Sequence, residues 1–276
     1  MLNIIPIAPS TQLQSIVQQY FLTEGRLPEG MVFKHLIIPS LAETMYFNLS
    51  DQPQSFFMWD GREVVVKDCM ITGQFLQSFE TSLRGDVKLL GVYLSSPAVA
   101  QLFGIDLRQH LNNAFALEEV IGPQARALVK DLRNATSMDE VIHQVESFLL
   151  KLSSESKATD VGVLQNSLSL IKASQGKITV KELAAANHIS ERTLQKTFMN
   201  QMGLTPKEYI KKFRFTEVIN SMSASTFSWK YVVETLGYFD QSHFLNDFKS
   251  IVGKTPSEYY KDHPEINKYF TEFIRE

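Results

Sequence analysis

The chain has a single cysteine, Cys69, in 276 residues. One thiol excludes an intrachain disulfide framework and suits a reducing compartment. Long apolar runs are also missing, since none approaches the roughly 18 residues that a membrane-spanning helix needs. The opening Met1-Leu2-Asn3-Ile4-Ile5-Pro6 lacks the basic start and extended apolar core of a secretory leader. These absences predict a soluble, cytoplasmic protein with no membrane partner. Histidine is sparse and scattered: His35, His110, His143, His188, His243 and His263 have no close sequence neighbours among themselves. Only His35 falls in a strand-like segment. Gly-rich phosphate loops, a Gly-x-Ser-x-Gly elbow and Cys-x-x-Cys are absent as well. No metal, no cofactor and no catalytic residue is expected, so the chain does not read as an enzyme. A strong charge bias is missing too, with 27 Lys+Arg against 30 Asp+Glu and a net charge of −3.

What is present is an internal repeat. Gly203-Leu204-Thr205-Pro206-Lys207-Glu208-Tyr209 returns fifty positions later as Gly253-Lys254-Thr255-Pro256-Ser257-Glu258-Tyr259. Upstream, Leu194 corresponds to Phe244, Phe198 to Phe248, Ser190 to Asp240 and Asn187 to Gly237. A repeat at fixed offset is one supersecondary unit built twice. Thr-Pro-x-Glu is a helix start, with Thr as cap, Pro at the first helical position and Glu reaching back to the cap. Gly203 and Gly253 suit the left-handed ends of the preceding helices.

Within each copy two short helices precede that Gly. In the first, Val180, Leu183 and Ala184 form a stripe, and Asn187 is expected to take the positive φ of a tight turn. Ser190 then caps a helix with Leu194 and Phe198 on its apolar face. In the second, Val232, Val233 and Leu236 form the stripe, Gly237 makes the turn, and Asp240 caps a helix carrying Phe244 and Phe248. Helix, tight turn and second amphipathic helix make a helix-turn-helix. A generic helical hairpin would show the same pattern once; two copies with matching caps favour a nucleic-acid reader.

The second helix of such a motif presents its first turns to base edges in the major groove of double-stranded DNA. The outward set of the first is Glu191, Arg192, Gln195 and Lys196, and of the second Gln241, Ser242, Leu245 and Asn246; Arg192, Gln195, Lys196, Gln241, Ser242 and Asn246 are the candidate base contacts. Arg suits guanine O6/N7, and Gln or Asn suits adenine N6/N7. Ser190, Thr193, Lys207, Lys212, His243 and Lys249 are the candidate phosphate contacts. Asp247 is an awkward neighbour for phosphates. Between the motifs, Thr205 to about Met222 reads as one helix of roughly 27 Å, close to the roughly 34 Å between successive major-groove faces. Lys207, Lys211, Lys212 and Arg214 cluster along it, so positive charge is concentrated in the repeat.

Residues 178–260 resemble the C-terminal DNA-binding domain of AraC/XylS-type transcriptional regulators. The resemblance rests on Ile178-Thr179-Val180-Lys181-Glu182-Leu183-Ala184, on Ser190 to Phe198, and above all on Gly237-Tyr238-Phe239-Asp240-Gln241-Ser242-His243-Phe244. It implies a seven-helix unit with two helix-turn-helix motifs on a long connecting helix, and a transcription factor with RNA polymerase as a partner. The sequence departs from the family pattern at Asn187, where Gly is common, at Asn246 and Asp247, and at Tyr260, where Arg is usual.

The first half reads differently. After an expected short helix from Thr11 to Tyr20, strands are predicted at Val32–Ile38, Thr44–Leu49, Phe56–Trp59, Glu63–Lys67, Met70–Phe79 and Val87–Leu94. Asp60-Gly61 is a hairpin signal. Helices follow at Pro97–Phe103, Asp106–Leu111, Pro123–Asn134 and Met138–Lys151. The fold class is therefore α+β: an N-terminal small antiparallel β-barrel or sandwich plus helices, then an all-α C-terminal domain with two helix-turn-helix motifs. The family resemblance makes the β part cupin-like and sensory. The expected boundaries are 1–152 for a sensory or dimerisation domain, 153–160 for a Ser-rich linker and 161–276 for the DNA-binding domain. Tyr46, Phe57, Trp59, Phe75 and Tyr93 are candidates for lining a small-molecule effector pocket, or are simply core. Apolar spacing in Gln124–Leu132 and Val141–Leu152 is compatible with packing on the barrel or with a homodimer seam. The alternative to a ligand-controlled regulator is a constitutive one, whose N-terminal domain only dimerises or contacts RNA polymerase.

Overall fold

The computed structural model describes residues 2–95, 97–155, 160–223, 237–238, 240–255 and 258–259. Ten strands build two antiparallel sheets: β1 (Asn3–Ile7), β2 (Val17–Arg26), β3 (Val32–Ile37), β4 (Glu43–Asn48), β5 (Gln54–Phe57), β6 (Glu63–Val66), β7 (Cys69–Thr72), β8 (Phe79–Arg84), β9 (Asp86–Leu94) and β10 (Ala114–Ala116). One sheet runs β1-β2-β9-β4-β7-β10 and the other β3-β8-β5-β6, so the N-terminal half is a sandwich of two open sheets. The helices that follow are α1 (Ala98–Phe103), a 3₁₀ turn at Leu107–His110, α2 (Leu117–Ile121), α3 (Gln124–Asn134) and α4 (Met138–Glu155).

The six-stranded sheet is covered on both faces, and the period-2 alternation of its strands shows it. Met45, Phe47, Leu90, Val92 and Leu94 enter a core shared with α1, α3 and α4. Their neighbours Tyr46, Leu89 and Tyr93 enter a second core, against Phe56, Phe79 and Leu83 of the other sheet. Gly91 faces that second core because its cross-strand partner Phe21 occupies the space a side chain would need. A Cβ there would lie 1.9 Å from the Phe21 ring.

Several expectations need correction. Residues 11–20 do not form a helix: Thr11 to Ile16 is a run of turns, with Leu13 N–H donating to Ser10 C=O at 3.0 Å, and β2 begins at Val17. Two-sided pairing of β2 with β1 and β9 buries Val17, Tyr20, Phe21 and Leu22 in a way that no lone helix could. The span Met70–Phe79 is not one strand but the end of β7, a loop through Gly73 and Gln74, and the start of β8. Strands β1 and β10 carried no clear local signal. Asp60-Gly61 does join β5 to β6, with Gly61 at φ 83°. The apolar stripes of α3 and α4 pack inward: Val129, Leu132, Val141, Val145, Leu149 and Leu152 belong to the sheet-helix core. Helix α4 continues through Glu155, and residues 156–159 lie outside the described residues.

The C-terminal half is helical where described: α5 (Gly162–Ala173), α6 (Val180–Ala186), α7 (Glu191–Met202), α8 (Pro206–Ser223) and α9 (Gln241–Val252). Among the described residues no helix is long and apolar enough to cross a membrane.

Candidate nucleic-acid interface

Thr179 caps α6 with a reciprocal pair: its N–H donates to Glu182 Oε2 at 2.8 Å, and Glu182 N–H donates to Thr179 Oγ1 at 3.2 Å. The turn that follows has its positive φ at His188 (55°), whereas Asn187 sits at −95°. The expectation of a left-handed Asn187 is therefore corrected by one position. The Asn187 side chain is used instead as a tie, donating to Leu183 C=O at 2.8 Å and to Ser167 Oγ of α5 at 3.0 Å.

Ser190 caps α7, its Oγ accepting from Thr193 N–H at 3.1 Å. Leu194, Phe198 and Met202 are buried on one face. The remaining face carries Arg192, Thr193, Gln195 and Lys196, all exposed. Asp240 does for α9 what Ser190 does for α7, accepting from His243 N–H at 2.7 Å. Phe244 and Phe248 are buried, and Ser242, His243, Asn246 and Lys249 are exposed. Gln241 begins α9; its side chain, Tyr260 and the stripe Val232, Val233 and Leu236 lie outside the described residues.

Helix α8 carries both units. Its capping pair is Thr205 with Glu208, each donating a backbone N–H to the other's side-chain oxygen at 2.8 and 3.2 Å. Tyr209, Ile210 and Phe213 join the core of the first motif. Phe215, Val218 and Ile219 join the core of the second. One 18-residue helix thus serves two cores in succession, which fixes how far apart the motifs sit along its axis.

The basic cluster of α8 is divided among four tasks. Lys207 is exposed. Lys211 pairs with Asp247 of α9 at 2.8 Å. Arg214 donates to Gly237 C=O at 3.2 Å and lies 5.5 Å from the centre of the Tyr238 ring. Burial pushes the phenol of Tyr238 above its ordinary range. Lys212 turns the other way: it is 3% exposed, and its ammonium donates to Gln74 Oε1 in the N-terminal domain. In this arrangement it faces the β-sandwich and not a duplex.

The sequence reading missed the partners of Lys212. Gln74 Nε2 donates to Glu43 Oε1 at 2.7 Å, and these two side chains are 1% and 0% exposed. A carboxylate inside the fully buried strand β4 was the available signal. The aromatic candidates separate into two places. Tyr46, Phe75 and Tyr93 line a narrow cavity of about 50 Å³ with His35, Thr44 and Thr72. Its far wall is Thr216, Ile219 and Tyr259 of the helical half. Phe57 and Trp59 line a different, open groove, where Trp59 is 55% exposed.

Two capped reading helices mounted at the two ends of one connecting helix, with polar side chains outward, define a double helix-turn-helix DNA-binding domain. Residues 183–262 match a family of helix-turn-helix domains, and residues 6–116 match a domain family of unknown function. Over 85 residues the chain is 32% identical to the HTH-type transcriptional regulator YisR of Bacillus subtilis, covering 31% of this chain and 30% of that protein. It is 34% identical over 89 residues to the transcriptional activator NphR of Rhodococcus, covering 32% and 26%. An AraC-like transcription regulator of Streptomyces antibioticus is 30% identical over 86 residues, covering 31% and 28%. The matched stretch thus spans under a third of each relative. The crystal structure of an apo ToxT variant from Vibrio cholerae superposes with a TM-score of 0.50 at 14% identity, covering 87% of this chain and 96% of that one. That likeness extends the shared fold to both halves. The C-terminal region of this chain is an AraC-type helix-turn-helix domain.

Proposed function

We propose that the protein is a sequence-specific transcriptional regulator that lays α7 and α9 in adjacent major grooves of one face of a duplex. The observation that carries this is the matched pair of caps, Ser190 and Asp240, each starting a helix whose exposed face is polar. Arg192, Gln195 and Lys196 supply the first base-reading set, and Gln241, Ser242 and Asn246 the second. Ser190, Thr193, Lys207, His243 and Lys249 suit phosphates. Helix α8 has 18 residues, which at 1.5 Å each span roughly 27 Å.

Control by a small molecule at the N-terminal domain is supported by the cavity under Tyr46 and Tyr93, since its walls come from both halves of the chain. A second reading is favoured by the size of that cavity. About 50 Å³ is far below the ~300–1,000 Å³ of ordinary ligand sites. A constitutive regulator whose N-terminal domain dimerises or contacts RNA polymerase would need no larger space.

Selection of bound sequences from random duplex DNA with the full chain, at stated salt, tests the reading. Two short enriched motifs about one helical turn apart are expected. A single motif would reduce the second unit to a positioning role, and binding without enrichment would overturn the sequence-specific assignment.

A further inference from the structure

Two motifs on one rod must also be set at the right angle about it. Helix α8 sets the separation of α7 and α9 along its axis, because each motif core packs on a different stretch of it. Base readout by two helices at once needs both rotations fixed, since each helix must enter its groove at a set angle.

Among the described residues, Leu41, Leu76 and Leu111 of the N-terminal half pack on the first motif core and Leu36 and Ile38 on the second, and three further contacts bear on those rotations. At the end of α7, Gly203 lies so close to Leu107 that a Cβ would come within 2.6 Å of the Leu107 carbonyl oxygen. At the end of α9, Ile251 C=O accepts a hydrogen bond from Ser78 N–H at 2.8 Å. Between them, Lys212 reaches from the middle of α8 to Gln74 and through it to Glu43. The amide of Gln74 can serve only one way round here. Its oxygen must meet the ammonium and its NH₂ the carboxylate. Gln74 itself is held by backbone, its C=O accepting from Asn112 N–H at 2.8 Å, while Asn112 Oδ1 accepts from Leu76 N–H at 2.6 Å.

The contacts leave the exposed polar faces of α7 and α9 free, so the sandwich does not mask what would read DNA. The geometry points to Glu43, Gln74 and Lys212 as positioning residues: an interdomain latch that holds α8 against the sandwich so that the outer contacts at Leu107 and Ser78 fix the rotation of each reading helix. A ligand or partner that acted on the N-terminal domain would act on DNA binding through this latch. The purpose assigned to the latch rests on the proposed DNA-reading role, but its existence does not, and it is tested without DNA.

Spin labels at Asn200→Cys and Ser250→Cys report the distance between the ends of α7 and α9 in the full chain. The unlatched variants are Lys212→Met, which keeps the apolar stem of the side chain and removes its donor, and Glu43→Gln with Lys212→Met, which leaves no buried charge unpaired. A single narrow distance distribution is expected with the latch intact, and loss of that single peak in both variants. A narrow peak in all three proteins would overturn the latch and leave Lys212 as packing. A peak lost in Lys212→Met but restored in the double variant would also overturn it, since only an unpaired carboxylate would then be at work. Where Lys212→Met alone fails to fold, the double variant decides.

Discussion

Lys211 and Asp247 form an ion pair at 2.8 Å that joins the connecting helix to the second reading helix. An acidic residue on a helix meant for phosphates is a contradiction only while its partner is unknown. Asp247 has a side-chain exposure of 13%, points back at α8, and also lies 3.9 Å from His243 Nε2. Because Lys211 is 42% exposed, the pair is worth about 0.5–1 kcal/mol and not more. A double-mutant cycle of Lys211→Ala and Asp247→Ala, read by chemical denaturation at low salt, should return a coupling of that size that shrinks as salt is added. A coupling near zero would make the contact incidental.

Arg192→Ala should cost ~1–3 kcal/mol at a selected site and relax the base preference at one position, leaving the others intact. Competition binding against single-base variants of the site reads this directly. Equal weakening on every sequence would reassign Arg192 to phosphate.

The two lysines of α8 that face different ways should separate in a salt titration. Lys207→Ala should lower the slope of log affinity against log salt by about 1 on a random-sequence duplex. Lys212→Met should leave that slope unchanged, because its ammonium lies against Gln74. A slope that flattens with Lys212→Met while the distance between α7 and α9 stays narrow would put that side chain on the DNA.

Burial raises the Glu43 carboxyl to about 8 and lowers the Lys212 ammonium to about 7, desolvation being the larger cause for each. A carboxyl raised on folding binds a proton that the unfolded chain releases, so stability falls as pH climbs from about 4.5 to about 8. The lowered ammonium acts in the other direction, contributing stability near 10.5 that is lost as pH falls toward 7. Tyr46 and Tyr93, both raised above their ordinary range by burial, add no titration between pH 5 and pH 8. Glu43→Gln removes the carboxyl titration. Its stability relative to the native chain should rise steadily between pH 5 and pH 8, measured by denaturant midpoint at each pH. A difference that does not change with pH would show that Glu43 keeps an ordinary titration.

Much of the helical half was legible because its signals are local. A cap acts within three residues, so Ser190, Thr205 and Asp240 could be placed from neighbours alone. The position of the left-handed residue was less legible, since Asn187 and His188 both tolerate that conformation and the tie from Asn187 to Ser167 of α5 decides between them. Strand β2 was hidden because its polar Gln18 and Gln19 break the alternation, and its pairing with β9 joins residues about seventy positions apart. The two faces of the six-stranded sheet were hidden for a related reason: with both faces covered, alternation no longer separates inside from outside. The latch was least legible of all. Glu43, Gln74 and Lys212 have nothing in common until the two halves are folded against each other.

Gly203 ends α7 in a left-handed conformation at φ 69° and at the same point meets the Leu107 carbonyl. One residue therefore answers to two neighbours that belong to different halves of the chain. A helix-turn-helix domain grafted from a relative would bring its own version of this corner, but the surface it must fit would be that of the recipient. Chimeras of this kind should tolerate an exchange of the residues proposed to read bases, such as the exposed Arg192 and Asn246, far better than an exchange that includes the junction at Gly203. The proposed specificity would in that sense be portable as a set of side chains and not as a domain.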